Sequence, residues 1–395
     1  MVSMAIVWGL AMLALISWGV MVGLWGGGWW RANQRIPVAM GADLATPCPT
    51  VAVVIPARNE ADVLPESLRS LLLQDYPGEL TIVLVDDQST DNTGNVAQSL
   101  ADELHQRDRF TVLTGQPLPP GWTGKLWAME QGVQFLQSRD CPPDYVLFTD
   151  ADIRHDRTNL RQLVGKAEAD ALDLVSLMVL LRCQSGWEKL LIPAFVFFFQ
   201  LLYPFPWVNA RDRNTAGAAG GCVLLRRSAL ERIGGVSRIR HALIDDCTLG
   251  AAVKEGGPIW LGLSDRTLSL RPYDTLGSIW DMVARTAYTQ LHYSPGLLMG
   301  TVLGMGLVYL VPPIAMGLGM MTADGGLALV GGVTWGLMAL AYWPTLQLYR
   351  CSPMRAFTLP LIAFLYTLMT LDSARRHWAG QGGSWKGRVY PRAEG

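Results

Sequence analysis

Residues 4 to 30 carry no charged side chain. A run of that composition satisfies its backbone in lipid only by closing its hydrogen bonds within itself, which makes it a helix. Its length suits a single membrane span, which takes about 20 residues. It is too long, and lacks the basic leading region, for a cleaved signal peptide. Arg31 and Arg35 follow directly, so the positive-inside rule assigns the next segment to the cytoplasm. Apolar stretches return at about 296–321, 325–348 and 356–371, with Arg350 and Arg355 between the last two. The expectation is an N-terminal transmembrane helix at 4–30, a C-terminal region of about three spans at 296–371 and a basic tail at 372–395. Three spans after a cytoplasmic domain place the tail outside. Arg375, Arg376, Lys386, Arg388 and Arg392 favour inside. Either one segment is re-entrant or the charge bias is overridden.

Composition supports a membrane class. Only 16% of the residues are charged, against roughly 25% in soluble proteins. Several of the 15 Trp sit beside the apolar runs, where an amphipathic ring suits the lipid–water interface. A net charge of -1 argues against nucleic acid as a partner, since that needs a basic face. Cys48, Cys141, Cys183, Cys222, Cys247 and Cys351 show no Cys-x-x-Cys pair and no zinc-ligand spacing to histidine. They read as reduced thiols, which fits a cytoplasmic catalytic region.

Between the apolar ends the chain reads as α/β. Val51–Ile55, Thr81–Val85 and Tyr145–Phe148 are short apolar runs suited to buried strands. Leucines at 64, 68, 71 and 72 give helical spacing over 61–74, and a second helix is expected near 91–104. Strands alternating with helices imply a mainly parallel sheet with ligands at the strand carboxyl ends. Residues 190–207 are apolar and aromatic but hold three prolines, and read as an interfacial segment or as a core helix followed by a loop.

Three acidic constellations fall where such a sheet would present them. The first pairs Pro56-Ala-Arg-Asn-Glu60 with Asp86-Asp87-Gln-Ser-Thr-Asp91, each after a strand. Carboxylates there can accept hydrogen bonds from a base or ribose, or can make turns and cap helices. The second is Asp150-Ala151-Asp152, directly after Tyr145–Phe148. Two carboxylates at the end of an apolar strand are costly unless a cation joins them, and Mg2+ or Mn2+ bridging to a diphosphate is the partner expected. The third is Asp245-Asp246 at the start of a helix. These residues either cap that helix or supply a general base for an acceptor hydroxyl, with Asp246 preferred over Asp245. His155, His241 and His292 lack ligand spacing to one another and read as structural.

With these segments placed, the chain resembles the inverting family 2 glycosyltransferases of GT-A fold over about Val51 to Tyr288, and more narrowly the hopanoid-biosynthesis-associated glycosyltransferases. The stretches that carry the likeness are Gly121-Trp-Thr-Gly-Lys-Leu-Trp-Ala128, Phe148-Thr-Asp-Ala-Asp-Ile153, Leu191–Gln200, Ala219–Arg227 and Ala284–Gln290. The resemblance implies a GT-A domain over 48–290. Ala57 and Glu60 would line the nucleotide pocket, and Asp87, with Asp86 as alternative, would meet the base. Lys125 would face the base or diphosphate. Asp150 would contact ribose or metal, and Asp152 would be the principal metal ligand. Gly220 and Gly221 would shape the acceptor loop. Asp245-Asp246 stands where the family has Glu-Asp, so Asp246 would be the base and the shortened Asp245 has a less defined part. The Gln-x-x-Arg-Trp motif of processive members is absent. Its nearest counterpart is Met282-Val-Ala-Arg-Thr286, where Arg285 would touch the diphosphate.

The resulting expectation is a multi-pass enzyme of the cell inner membrane. It moves one sugar from a nucleotide-sugar donor, UDP-linked, to a lipid acceptor, a hopanoid by the resemblance, using Mg2+ or Mn2+ and working among membrane lipids. The alternatives are a polyprenyl-phosphate glycosyltransferase and a non-catalytic scaffold of a lipid-biosynthesis complex.

Overall fold

The computed structural model describes residues 4–42, 44 and 46–381, and the backbone of 384–385 and 388–389. The side chains of the basic tail from residue 382 onward, Lys386, Arg388 and Arg392 among them, lie outside the described residues. The chain divides into two units, residues 34–182 with 207–272 and 384–395, and residues 1–33 with 183–206 and 273–383.

The first unit is built on an eight-stranded sheet. Its strands are β1 (Val51–Ala57), β2 (Leu80–Asp86), β3 (Phe110–Thr114), β4 (Tyr145–Thr149), β5 (Ile153–Arg154), β6 (Leu174–Leu180), β7 (Cys222–Arg226) and β8 (Ile259–Ser269). They lie side by side in the order β3-β2-β1-β4-β7-β6-β8-β5. The pairs β3/β2, β2/β1, β1/β4 and β6/β8 are parallel. The pairs β4/β7, β7/β6 and β8/β5 are antiparallel. The sheet is therefore mixed but mostly parallel.

All seven residues of β1 and all five of β4 are buried, as expected of central strands covered on both faces. Helices Leu64–Leu72 and Thr93–Glu103 take the places anticipated from leucine spacing and bury Leu64, Leu68, Leu71, Leu72 and Leu100. β1, β2 and β4 run parallel in register, with Val51 opposite both Leu80 and Tyr145, so their carboxyl ends open on one edge. That edge carries residues 58–60, 87–92 and 150–152.

Helix Gly124–Gln137 packs on β1 and β2 through a glycine. A Cβ on Gly132 would lie 2.5 Å from Val54 Cγ1 and 3.4 Å from Val85 Cγ2. Both valines are stiff, β-branched and fully buried, so they cannot yield cheaply.

The second unit is helical. Four of its helices are long and apolar enough to cross a membrane: Met4–Gly23, Pro295–Met321, Gly325–Leu348 and Pro353–Trp378. Pro295–Met321 passes through one wider π-type turn at Gly306–Leu310. Small residues let neighbouring helices touch, since a Cβ on Gly331 would lie 2.4 Å from Met316 N and one on Gly319 2.3 Å from Ala328 N. Trp18 is fully buried, donates to the Val308 carbonyl at 2.8 Å and meets Tyr309 edge-on. The proline-containing stretch 190–207, read as interfacial or as a core helix followed by a loop, holds helix Gly186–Leu202, which runs through Pro193, then a break and the start of a short helix, Phe205–Asn209. The longer helix buries Leu191, Ile192, Ala194, Val196 and Phe197, and a capping box of Ser185 and Glu188 fixes its start.

Gly132→Ala is expected to destabilise the sheet unit by about 1–3 kcal/mol through overpacking against Val54. A thermal melt of the full chain checks this, and an unchanged or raised midpoint would show that the helix shifts freely.

Candidate active site

The second and third acidic constellations converge with one lysine at the open edge of the sheet. Lys125 lies in the first turn of helix Gly124–Gln137. Its Nζ sits 2.9 Å from Asp150 Oδ1 and 3.0 Å from Asp245 Oδ2. Asp150 follows β4, and Asp245 and Asp246 open helix Asp245–Lys254. The positive end of that helix favours carboxylates in its first turn.

Asp246 Oδ2 accepts the Gly220 N–H at 2.8 Å. A Cβ on Gly220 would lie 3.3 Å from both Asp246 Oδ2 and Lys125 Nζ, so glycine permits this approach of backbone to side chains. Gly221 lies against Val179 and Ile153. A concavity lined by Lys125, Phe148, Asp150, Gly220, Asp245 and Asp246 results.

Burial raises the Asp246 carboxyl to about 6, with help from neighbouring Asp245 and against Lys125. Burial also raises Asp150. The Lys125 ammonium opposes that rise and Asp152 adds to it. Desolvation works against a charged Lys125, but Asp150 and Asp245 outweigh it and hold the ammonium above its ordinary value.

A second cation was not anticipated from the sequence. Arg271, just after β8, donates from Nη2 to Glu60 Oε1 at 2.7 Å and from Nε to Asp152 Oδ2 at 3.1 Å. Ser269 also donates to Asp152 Oδ2, at 3.2 Å. Arg271 thus joins the loop after β1 to the Asp-Ala-Asp segment. The available signal was a lone arginine directly after an apolar strand, in Leu270-Arg271-Pro272.

The nucleotide-side residues separate by burial. Asp87 is 0% exposed, with the Arg58 guanidinium 3.7 Å from its Oδ2, and its N–H donates to the Ala57 carbonyl. Asp86 is half-buried and accepts the Ser89 N–H at 3.0 Å. Asn59 and Asp91 follow the turn-and-cap alternative. Asn59 Oδ1 accepts from Thr90 N, and Asp91 accepts from Thr93 N and Ala61 N. These bonds lock the loops after β1 and β2 together. Arg285 belongs to the helical unit, directly after helix Leu276–Ala284, and is exposed.

His155 is structural. Its ring lies between Thr149 Oγ1 and Asn159 Nδ2, both at 2.9 Å, and burial pushes its pKa down to about 3. With Asn159 donating to Nδ1, the neutral ring carries its proton on Nε2 and has no lone pair left for a metal.

The family model described as glycosyl transferase family 2 matches residues 52–234. Over 183 residues the chain is 31% identical to an undecaprenyl-phosphate 4-deoxy-4-formamido-L-arabinose transferase of Pseudomonas fluorescens, covering 45% of this chain and 47% of that one. Over 104 residues it is 31% identical to a 4,4'-diaponeurosporenoate glycosyltransferase of Staphylococcus haemolyticus, covering 26% and 24%. The chain spans less than half the length of these curated relatives. A solved mannosyltransferase from Pyrobaculum calidifontis, in complex with GDP-Man and Mn2+, is similar with a TM-score of 0.55. That likeness covers 94% of this chain and 99% of that one at 18% identity. The fold is GT-A.

Among the described residues, no three His, Cys, Asp or Glu side chains gather into a metal cage. The sheet-edge site instead fits a cation held by one or two carboxylates and completed by ligand oxygens, as Mg2+ commonly is. Among the described residues, Asp152 bonds through Oδ2 alone and Asp150 is paired through Oδ1, so each retains an oxygen.

Lys125→Met removes the charge that lowers Asp150 and Asp246. Both folded carboxyls then rise further above their unfolded values, so the folded state holds protons that the unfolded chain releases. The variant is expected to lose stability as pH rises through about 6 and beyond. Its midpoint deficit against the unaltered protein should be larger near pH 8 than near pH 5. A deficit independent of pH would contradict the charge account.

Proposed function

We propose that the protein is a membrane-bound inverting glycosyltransferase that moves one sugar from a nucleotide-sugar donor, UDP-linked, to a lipid acceptor. The observation that carries this reading is the meeting of Asp150, Asp245 and Asp246 around Lys125 at the sheet edge. In this reading the donor lies across the loops at 56–60 and 86–91. Ala57, Glu60 and Asp86 or Asp87 take the nucleoside, and Lys125 takes the diphosphate. The four candidate spans support a multi-pass location, proposed as the cell inner membrane with the transferase domain on the cytoplasmic side.

Asp246 takes the proton of the acceptor hydroxyl. The freed oxygen lone pair attacks the anomeric carbon from the face opposite the leaving group. The bond from that carbon to the diphosphate oxygen breaks, and its electron pair leaves with the nucleoside diphosphate. A carboxyl at about 6 is basic enough to accept a proton and is still largely ionised near neutral pH. Gly220 N–H orients its Oδ2. Asp150 and Asp152 would hold a divalent cation, Mg2+ or Mn2+, whose charge offsets that of the departing diphosphate. The solved mannosyltransferase, which is in complex with GDP-Man and Mn2+, supports this choice.

Within the lipid class, the sequence resemblance favours a hopanoid hydroxyl. A polyprenyl phosphate is the second reading, favoured by the undecaprenyl-phosphate transferase among the relatives. The two differ in their need for a base, because a phosphate acceptor is already ionised.

Asp246→Asn is expected to lower kcat by roughly 10²–10⁴-fold with a hydroxyl acceptor while donor binding by calorimetry is kept. The unaltered protein should show an acidic limb in kcat/KM near 6, with activity rising as Asp246 ionises. Full activity of D246N on a hydroxyl lipid would remove the base, and retained activity only on a polyprenyl phosphate would select the second reading. Chelation with EDTA should abolish transfer, and Mn2+ or Mg2+ should restore it. Transfer that persists in EDTA would remove the metal from the reaction.

A further inference from the structure

Helix Asp245–Lys254 ends in a lysine whose ammonium is surrounded by main-chain oxygen. Nζ reaches the carbonyls of Trp207 at 3.3 Å, Ala210 at 3.1 Å and Thr215 at 2.8 Å, and that of Val208. An ammonium has three N–H bonds, so the carboxyl end of the short helix Phe205–Asn209 and the loop that follows it satisfy it completely. A lysine normally keeps its charged head in water. Burying one among carbonyls costs desolvation, which pulls its pKa down against neighbouring Asp212.

The same loop is fastened elsewhere along its length. Asn209 exchanges two hydrogen bonds with the backbone of Leu261 in β8, at 3.0 and 2.7 Å. Ser176 in β6 exchanges two with Ala219, at 3.2 and 2.8 Å. Cys247 Sγ donates to the Ala218 carbonyl at 3.4 Å. Gly250 faces Gly217 so closely that a Cβ there would lie 3.1 Å from the Gly217 carbonyl carbon. The last fastening is the Gly220 N–H on Asp246. Only the tip, 211–214, stands exposed. The loop therefore runs along the whole helix, held by Lys254 at its start and by Asp246 at its end.

We propose that Lys254 is a positioning residue that clamps residues 207–220 along helix Asp245–Lys254 and so fixes the loop that meets the proposed base. This rests on the reading of Asp246 as the base. Lys254 touches no reacting atom in it. Its effect passes through the loop to Gly220, and so falls on how the acceptor is held and not on how the donor is.

The test uses the full chain in detergent, with Lys254→Met and Lys254→Gln. Hydrogen exchange is read by mass spectrometry and transfer kinetics by separate variation of donor and acceptor. In K254M, exchange of amides 208–220 should speed up about tenfold or more while β1, β2 and β4 keep their protection. Acceptor KM should rise about tenfold with donor KM within about twofold. K254Q, which keeps two donors, should lie between the two; it is the variant read if K254M does not fold. Unchanged exchange in 208–220 would overturn the clamp, and so would equal rises in both KM values. The exchange arm needs no activity. If the unaltered protein transfers no sugar while the K254 variants still loosen the loop, the base reading falls and the clamp stands.

Discussion

The site depends on one ammonium held between two carboxylates. Lys125, Asp150 and Asp245 come from three distant parts of the chain, and their separations of 2.9 and 3.0 Å leave room for no intervening group. Without that cation, Asp150, Asp245 and Asp246 would crowd like charges in a partly desolvated place, which is expensive. With it, the cluster is neutralised in part and Asp246 stays only moderately raised. Arg271 does the corresponding work one step away, between Glu60 and Asp152. The two cations tie Asp150 to Asp245 and Glu60 to Asp152, while the 86–91 segment is held to the loop after β1 by the Asn59 and Asp91 hydrogen bonds.

The backbone makes this arrangement rigid before any ligand arrives. Parallel pairing in register brings the ends of β1, β2 and β4 to one edge. Helix Gly124–Gln137 presses on that sheet through Gly132, which sets where its first turn delivers Lys125. Helix Asp245–Lys254 presents Asp245 and Asp246 in its first turn, where the peptide dipoles favour negative charge. Gly220 allows the loop backbone to reach Asp246. Small residues at close contacts, and charges at helix starts, are thus the means by which packing becomes electrostatics.

The helical unit follows different rules. Its close contacts are made at Gly319 and Gly331, and the buried Trp18 finds a main-chain partner in the Val308 carbonyl. Of the three prolines in 190–207, Pro204 and Pro206 fall after helix Gly186–Leu202 has ended. Pro193 lies well inside the helix, but a capping box at its start and burial of its apolar face keep it continuous.

Much was legible in the chain itself. Apolar runs of membrane length, short all-apolar strands and leucines at helical spacing are local signals, because each reflects the burial period of one element. They indicated α/β alternation, candidate spans and the carboxylates at element ends, Asp150 and Asp152 after a strand and Asp245 and Asp246 at a helix start. Tertiary structure alone decided what those carboxylates meet. Arg271 lies more than a hundred positions from both of its partners, and no spacing rule links them. Lys254 was equally hidden, since a lysine at a helix end looks like a solvated one until its loop is in place. Asp86 and Asp87 are neighbours of the same charge, yet one is half-buried and the other fully enclosed beside Arg58. Sequence specifies the period of each element and the kinds of side chain at its ends. Which charges become partners is set by the packing of elements distant in the chain, because Coulomb attraction and desolvation depend on distances that exist only in the folded state.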